Sequence, residues 1–152
     1  MKFFNHKKKI YSPCSGQVKK LSQVNDAVFS KGLAGEGFAV LPEGNIVASP
    51  VDGTVAMIFP TKHAIGLTDA DGKDYIVHIG IDTVSLKGQG FEVLVTEGQK
   101  VKAGSPLVRV NLSVLEENHL ESDIIILLGS GSKMNLTVSG KVMSGQEVGT
   151  CE

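Results

Sequence analysis

Asp74-Tyr75-Ile76-Val77-His78-Ile79-Gly80-Ile81-Asp82 is the run whose reading decides the architecture. In an extended chain successive side chains leave on opposite faces, so Tyr75, Val77, Ile79 and Ile81 share one side. Ile76, His78, Gly80 and Asp82 share the other. The first set is apolar and reads as a core face. The second combines an imidazole, a carboxylate, one aliphatic group and a glycine that lets another group come close.

Similar short runs rich in Val, Ile and Thr recur on both sides, at residues 16–21, 37–41, 53–59, 64–68, 91–96, 107–111, 124–128 and 135–142, each bounded by Gly, Asn, Asp or Pro. Eighteen glycines accompany them. This predicts an all-β, single-domain antiparallel β-sandwich or flattened barrel with at most short helices. The best helix candidate is 113–122, where Ser113 can cap and Glu116 stands three residues on. The expected organisation is a flexible N-terminal segment, residues 1–10, followed by one domain, residues 11–152.

The chain also echoes itself. Ser12-Pro13-Cys14-Ser15-Gly16-Gln17-Val18 returns 37 residues later as Ser49-Pro50-Val51-Asp52-Gly53-Thr54-Val55. A second echo links the stretch 97–104 with 138–148. Two copies of each are too few for a solenoid, so a duplicated β unit within one compact sandwich is expected.

Fifteen basic residues against sixteen acidic ones leave no global field to attract nucleic acid or an anionic membrane. Lys7, Lys8 and Lys9 after Phe3 and Phe4 make a weak anchor, and a solvated terminus is the expected state. No run is long and apolar enough for an integral membrane segment, and the N-terminus has charge where a signal peptide needs its apolar centre. A cytoplasmic protein is expected, with Cys14 and Cys151 as reduced thiols.

Of the four histidines, His6 beside lysines and His119 in a polar stretch read as surface residues. His63 lies in Phe59-Pro60-Thr61-Lys62-His63-Ala64-Ile65, where Phe59, Thr61, His63 and Ile65 share a face if the pleat survives Pro60. Placed next to the His78 strand, this segment supplies a pair of imidazoles in an apolar frame. Each could be a hydrogen-bonded structural residue. As a pair they fit phosphoryl chemistry: neutral imidazole, about three quarters of the population at pH 7, attacks phosphorus without a separate base. A second imidazole can stabilise the phosphoryl charge. Zinc hydrolases need a third protein ligand, and no HxH or HExxH occurs.

Thr61-Lys62-His63-Ala64, Val77-His78-Ile79-Gly80-Ile81-Asp82-Thr83-Val84, Leu86-Lys87-Gly88-Gln89-Gly90-Phe91 and Ala48-Ser49-Pro50-Val51-Asp52-Gly53-Thr54-Val55 closely resemble the glucose-family enzyme IIA of the bacterial sugar phosphotransferase system. The resemblance runs in order from Ser12 to about Gly149 and implies that family's duplicated hybrid motif. It implies a phosphoryl carrier in which His78 accepts phosphate from the histidine-containing phosphocarrier protein and donates it to a cysteine of an enzyme IIB domain of a sugar permease. His63 would clamp the phosphoryl group, Thr61 would fix the His63 tautomer, and the Gly80 carbonyl would hold Nδ1–H of His78. Around them an apolar docking surface would comprise Val28, Phe29, Phe59, Ile76 and Val84, with Asp26 and Asp82 at its rim. Ile76 stands where some members have phenylalanine, which bears on partner preference and not on the chemistry. No cofactor is expected beyond the covalent phosphohistidine, although the His63/His78 pair could take zinc adventitiously or with a partner's help.

Other readings compete less well. A regulatory module could use the same face to bind permeases or kinases according to its phosphorylation state. Gly88-Gln89-Gly90 and Gly129-Ser130-Gly131 lack the spacing of a nucleotide loop. Lys133-Met134 invites comparison with biotinyl carriers but sits in a poor Gly/Ser setting. The start methionine and full motif set favour a free-standing domain.

Overall fold

The computed structural model describes residues 7–152; His6, Phe3 and Phe4 lie outside them. In chain order its strands are β1 (Lys8–Tyr11), β2 (Gly16–Lys20), β3 (Gly37–Pro42), β4 (Ile46–Ala48), β5 (Gly53–Ile58), β6 (Ala64–Thr68), β7 (Asp74–Ile79), β8 (Phe91–Val93), β9 (Lys100–Val101), β10 (Pro106–Val110), β11 (Ile124–Leu128), β12 (Met134–Leu136), β13 (Gly140–Val142) and β14 (Glu147–Cys151). The α-helices, α1 (Ala27–Ser30) and α2 (Leu112–Glu117), are short. An eight-stranded sheet runs β13-β2-β3-β11-β7-β6-β5-β9, and two three-stranded sheets run β1-β14-β12 and β4-β10-β8. Every pairing is antiparallel.

The large sheet has two covered faces, which explains the uninterrupted apolar run Ile124–Leu128 in β11. Ile124 and Ile126 point with Val40, Val77 and Ile79 into the main core. Ile125 and Leu127 point the other way, into a smaller cluster with Leu21, Val24, Phe29, Ala39 and Ile81. Each fully buried Ile or Leu contributes about 1.5–3 kcal/mol relative to exposure.

The duplication is visible in hydrogen bonds that map onto each other. Ser12 Oγ donates to the Cys14 carbonyl and Ser49 Oγ to the Val51 carbonyl, both at 2.6 Å. Tyr11 N donates to Pro50 O and Ala48 N to Pro13 O, the same bond with the copies exchanged. Gly145 N reaches Ser12 O as Gly104 N reaches Ser49 O. Val142 pairs with Gly16 as Val101 pairs with Gly53. The copies meet where Gly104 and Gly145 pack backbone to backbone, a Cβ on either lying within 4 Å of the other's Cα.

Several expectations are corrected. Residues 8–10, assigned to a flexible segment, belong to β1, whose ladder with β14 leaves Lys8 and Lys9 on an edge while Ile10 enters the core. The helix runs Leu112–Glu117 and is capped by Asn111, whose Oδ1 accepts from Ser113 N, so Ser113 is inside it. The run 135–142 is two strands in different sheets, β12 and β13. Ile81 does not follow Tyr75, Val77 and Ile79 into the main core. The strand ends at Ile79, and Gly80, at φ +76°, turns Ile81 into the smaller cluster.

Candidate functional site

His78 stands near the middle of the large sheet. In β7 it pairs with Ala64 of β6 on one side and Ile125 of β11 on the other. His63 occupies the turn between β5 and β6, just before Ala64, so the register of β6 against β7 brings the two histidines together. Their ring centroids lie 5.1 Å apart, edge to face. Pro60 and Lys62, the latter at φ +62°, make this segment a turn and not a continued strand. Phe59 and His63 still face each other, with centroids 5.6 Å apart, but Ile65 enters the main core.

Each imidazole is oriented through Nδ1. His78 Nδ1 lies 2.8 Å from the Gly80 carbonyl, which can only accept, so this nitrogen carries the proton and the Nε2 lone pair is free. His63 Nδ1 lies 2.6 Å from Thr61 Oγ1. Among the described residues no group bonds either Nε2. Among the described residues only Glu152 Oε2 is a buried side-chain N or O atom without a partner, so both Nε2 atoms reach the surface.

Gly80 is confined to its residue type by position. A Cβ there would lie 2.5 Å from Thr83 Cγ2 and 2.9 Å from the Glu121 carbonyl, at a left-handed φ. Its own N–H donates to the Asp123 carbonyl at 2.9 Å. Thr83, buried and missed as a site residue, donates its hydroxyl to the Ile79 carbonyl. The signal was present, since Thr83 lies within the motif Val77–Val84.

The second wall is α1. Asp26 caps it, accepting from Val28 N at 2.9 Å and Phe29 N at 3.4 Å. The cap seats Phe29 against His78, ring centroids 5.2 Å apart. Phe29 is 9% exposed and packs against the His78 ring, so only a small part of it faces outward. Val28 and Val84 are exposed, at 51% and 52%. Phe59 and Ile76 are half-buried and Asp82 is exposed. His119 is exposed just beyond α2, following its C-cap Asn118. Lys133 pairs backbone to backbone with Glu152 and not at a hairpin tip.

Burial lowers the His63 pKa. His78 is lowered by burial first and by His63 second, against the Gly80 carbonyl, Asp26 and Asp82, which favour the charged ring. Both shifts favour the neutral ring. Among the described residues no group of three or more His, Cys, Asp or Glu side chains is placed to hold a metal, so zinc at this pair would need ligands from elsewhere. Cys14 and Cys151 are free and buried, and burial, followed by Glu43, pushes the Cys14 thiol up to about 12.

Residues 8–134 match the family described as phosphoenolpyruvate-dependent sugar phosphotransferase system, EIIA 1. The chain belongs to this family. The glucose-specific EIIA component of Mycoplasma capricolum is 40% identical over 97% of both chains. A solved structure named glucose permease IIA, from the same organism, matches with a TM-score of 0.86 and covers 99% of each chain. The glucoside-specific EIICBA component of Staphylococcus carnosus is 42% identical over 91% of this EIIA chain, which spans about a fifth of that longer protein. The mostly β architecture of antiparallel sheets agrees with the solved relative. No helix among the described residues is long and apolar enough to cross a membrane.

Proposed function

We propose that this EIIA domain carries a phosphoryl group on Nε2 of His78. The observation that carries the reading is the paired orientation of two neutral imidazoles: His78 with its proton held on Nδ1 by Gly80, and His63 against it. The Nε2 lone pair attacks phosphorus, and the bond from phosphorus to the donor's histidine nitrogen breaks with its electrons returning to that imidazole. The N-phosphoryl ring keeps its Nδ1 proton and gains positive character, which the Gly80 carbonyl stabilises by accepting that proton's hydrogen bond. When Thr61 donates to His63 Nδ1, the His63 proton sits on Nε2 and can bond a phosphoryl oxygen. In the second transfer a cysteine thiolate attacks phosphorus and the P–N bond breaks, restoring neutral His78.

The donor in this reading is the histidine phosphocarrier protein and the acceptor a IIB domain. Staphylococcus carnosus relatives in which EIIA is joined to other components in EIICBA proteins support a IIB partner. Glucose-specific names among relatives of EIIA length support a glucose-type transporter. Exposed Val28, which follows the cap Asp26 by two residues, and Val84, which follows Asp82 by two, suit brief docking, and also a regulatory target that phosphate repels.

The test is incubation with phosphoenolpyruvate, enzyme I and the phosphocarrier protein. Acid-labile phosphate should form on the wild-type chain and be absent from His78→Ala. A His78→Ala protein that still takes up label overturns the assignment.

A further inference from the structure

His78 takes its tautomer from the Gly80 carbonyl, so whatever fixes the Gly80 peptide fixes the nucleophile. On its N-terminal side Gly80 is held by its N–H, which donates to the Asp123 carbonyl at 2.9 Å. The next amide, of Ile81, donates to the Glu121 carbonyl at 3.0 Å. Both acceptors lie in residues 120–123, which join α2 to β11 and have no strand or helix of their own. No ladder sets the position of this brace.

A side chain does. Asp123 is 3% exposed, and its Oδ2 receives Lys19 Nζ at 3.0 Å. Lys19 lies on β2, at the far end of a row across the large sheet: it pairs with Ala39, Ala39 with Ile125, and Ile125 with His78. Lys19 thus shares the His78 face and reaches the brace from the opposite direction. A buried carboxylate stripped of its cation is driven to find water or a proton, so losing Lys19 would pull Asp123 and its carbonyl away from Gly80.

Resting on the phosphoryl reading, we propose that Lys19 and Asp123 are positioning residues whose ion pair clamps residues 120–123 against Gly80 and thereby holds the His78 imidazole in its nucleophilic tautomer. Neither touches the ring. They act through the backbone, as groups behind a ligating histidine commonly do.

The test is ¹⁵N NMR of histidine-labelled protein together with initial rates of phosphoryl acceptance from the phosphocarrier protein. Wild type should show one His78 tautomer, protonated at Nδ1. Lys19→Met should show a mixture at His78, no change at His63, and acceptance slowed about tenfold in kcat with little change in KM for the donor. Lys19→Arg should restore both. Should Lys19→Met not fold, Asp123→Asn leaves Lys19 able to turn to water and is read in the same way. A folded variant lacking the pair but keeping a single His78 tautomer and the wild-type rate overturns the proposal. A wild-type chain that accepts no phosphate, yet loses its single tautomer in Lys19→Met, overturns the phosphoryl reading and leaves the clamp standing.

Discussion

The corners that open β2 and β5 repeat most of each other's bonds, Ser49 Oγ adding a 3.4 Å bond from Val51 N that Ser12 lacks, whereas the connections that close the two hairpins differ in length and in every functional residue. At the corners, Ser12 and Ser49 make the same 2.6 Å bond, and the backbone pairs exchange partners between copies. At the far ends, residues 21–36 carry α1 with Asp26 and Phe29, while the tight turn 59–63 carries Thr61 and His63. Phe29 and His63 then flank His78 at almost equal centroid distances, 5.2 and 5.1 Å. The symmetric end holds the sandwich together and gains nothing from chemical variety. The asymmetric end gives His78 an inert aromatic on one side and a titratable ring on the other.

The sharpest way to break this division is at His63. His63→Ala should fold and still accept phosphate on His78, but pass it to the acceptor cysteine more slowly by on the order of 10²-fold, the usual consequence of losing one hydrogen-bond donor to a charged transition state. Rapid-quench transfer from the phosphorylated variant measures this directly. Full-rate transfer would mean that the two hairpin ends are chemically equivalent after all.

How much of this division was readable in advance depended on local regularity. The β7 alternation located His78, and it held through Ile79 because each residue has a ladder partner. It failed at Gly80, where a left-handed φ sends Ile81 to the other cluster. The Ser-Pro echoes announced the symmetric corners because the same bonds demand the same residues. By contrast α1, four residues long, is too short to show a period, and no local pattern marks Asp26 as its cap. Strand β1 was hidden by its lysines, since an edge strand tolerates charge that a central one would not. The pairing of Lys19 with Asp123 joins residues far apart in sequence, and no local pattern carries it.

The matched corners provide a smaller effect with a sharper symmetry. Ser12→Ala and Ser49→Ala each remove a buried hydroxyl and leave a carbonyl, of Cys14 or Val51, without that donor. Each should cost about 1–3 kcal/mol in urea unfolding, and the two costs should agree to within the contribution of the long Val51 N bond that only Ser49 accepts, with phosphate acceptance unaltered. A wider gap would show that the copies share geometry without sharing load.

The smallest effect is the pH dependence that the asymmetric end confers. Burial lowers the folded-state pKa of His63, and burial with His63 as neighbour lowers that of His78. The unfolded chain therefore binds protons first as pH falls through about 6.5, the ordinary histidine value, while the folded rings stay neutral. With more protons on the unfolded state, stability falls with falling pH. The contribution is complete above about pH 7.5, erodes below about 6.5, and levels off once the folded rings also protonate. Asp26, Asp82 and the Gly80 carbonyl favour the charged His78 ring and so limit the loss, which should be smaller than that of either serine variant. Urea midpoints at pH 7.5 and 5.5, a window above most carboxylate titration, measure it, and His63→Ala/His78→Ala should flatten the difference. A wild-type midpoint that rises on acidification would show the imidazoles held charged, and a charged His78 has no lone pair at Nε2 with which to attack.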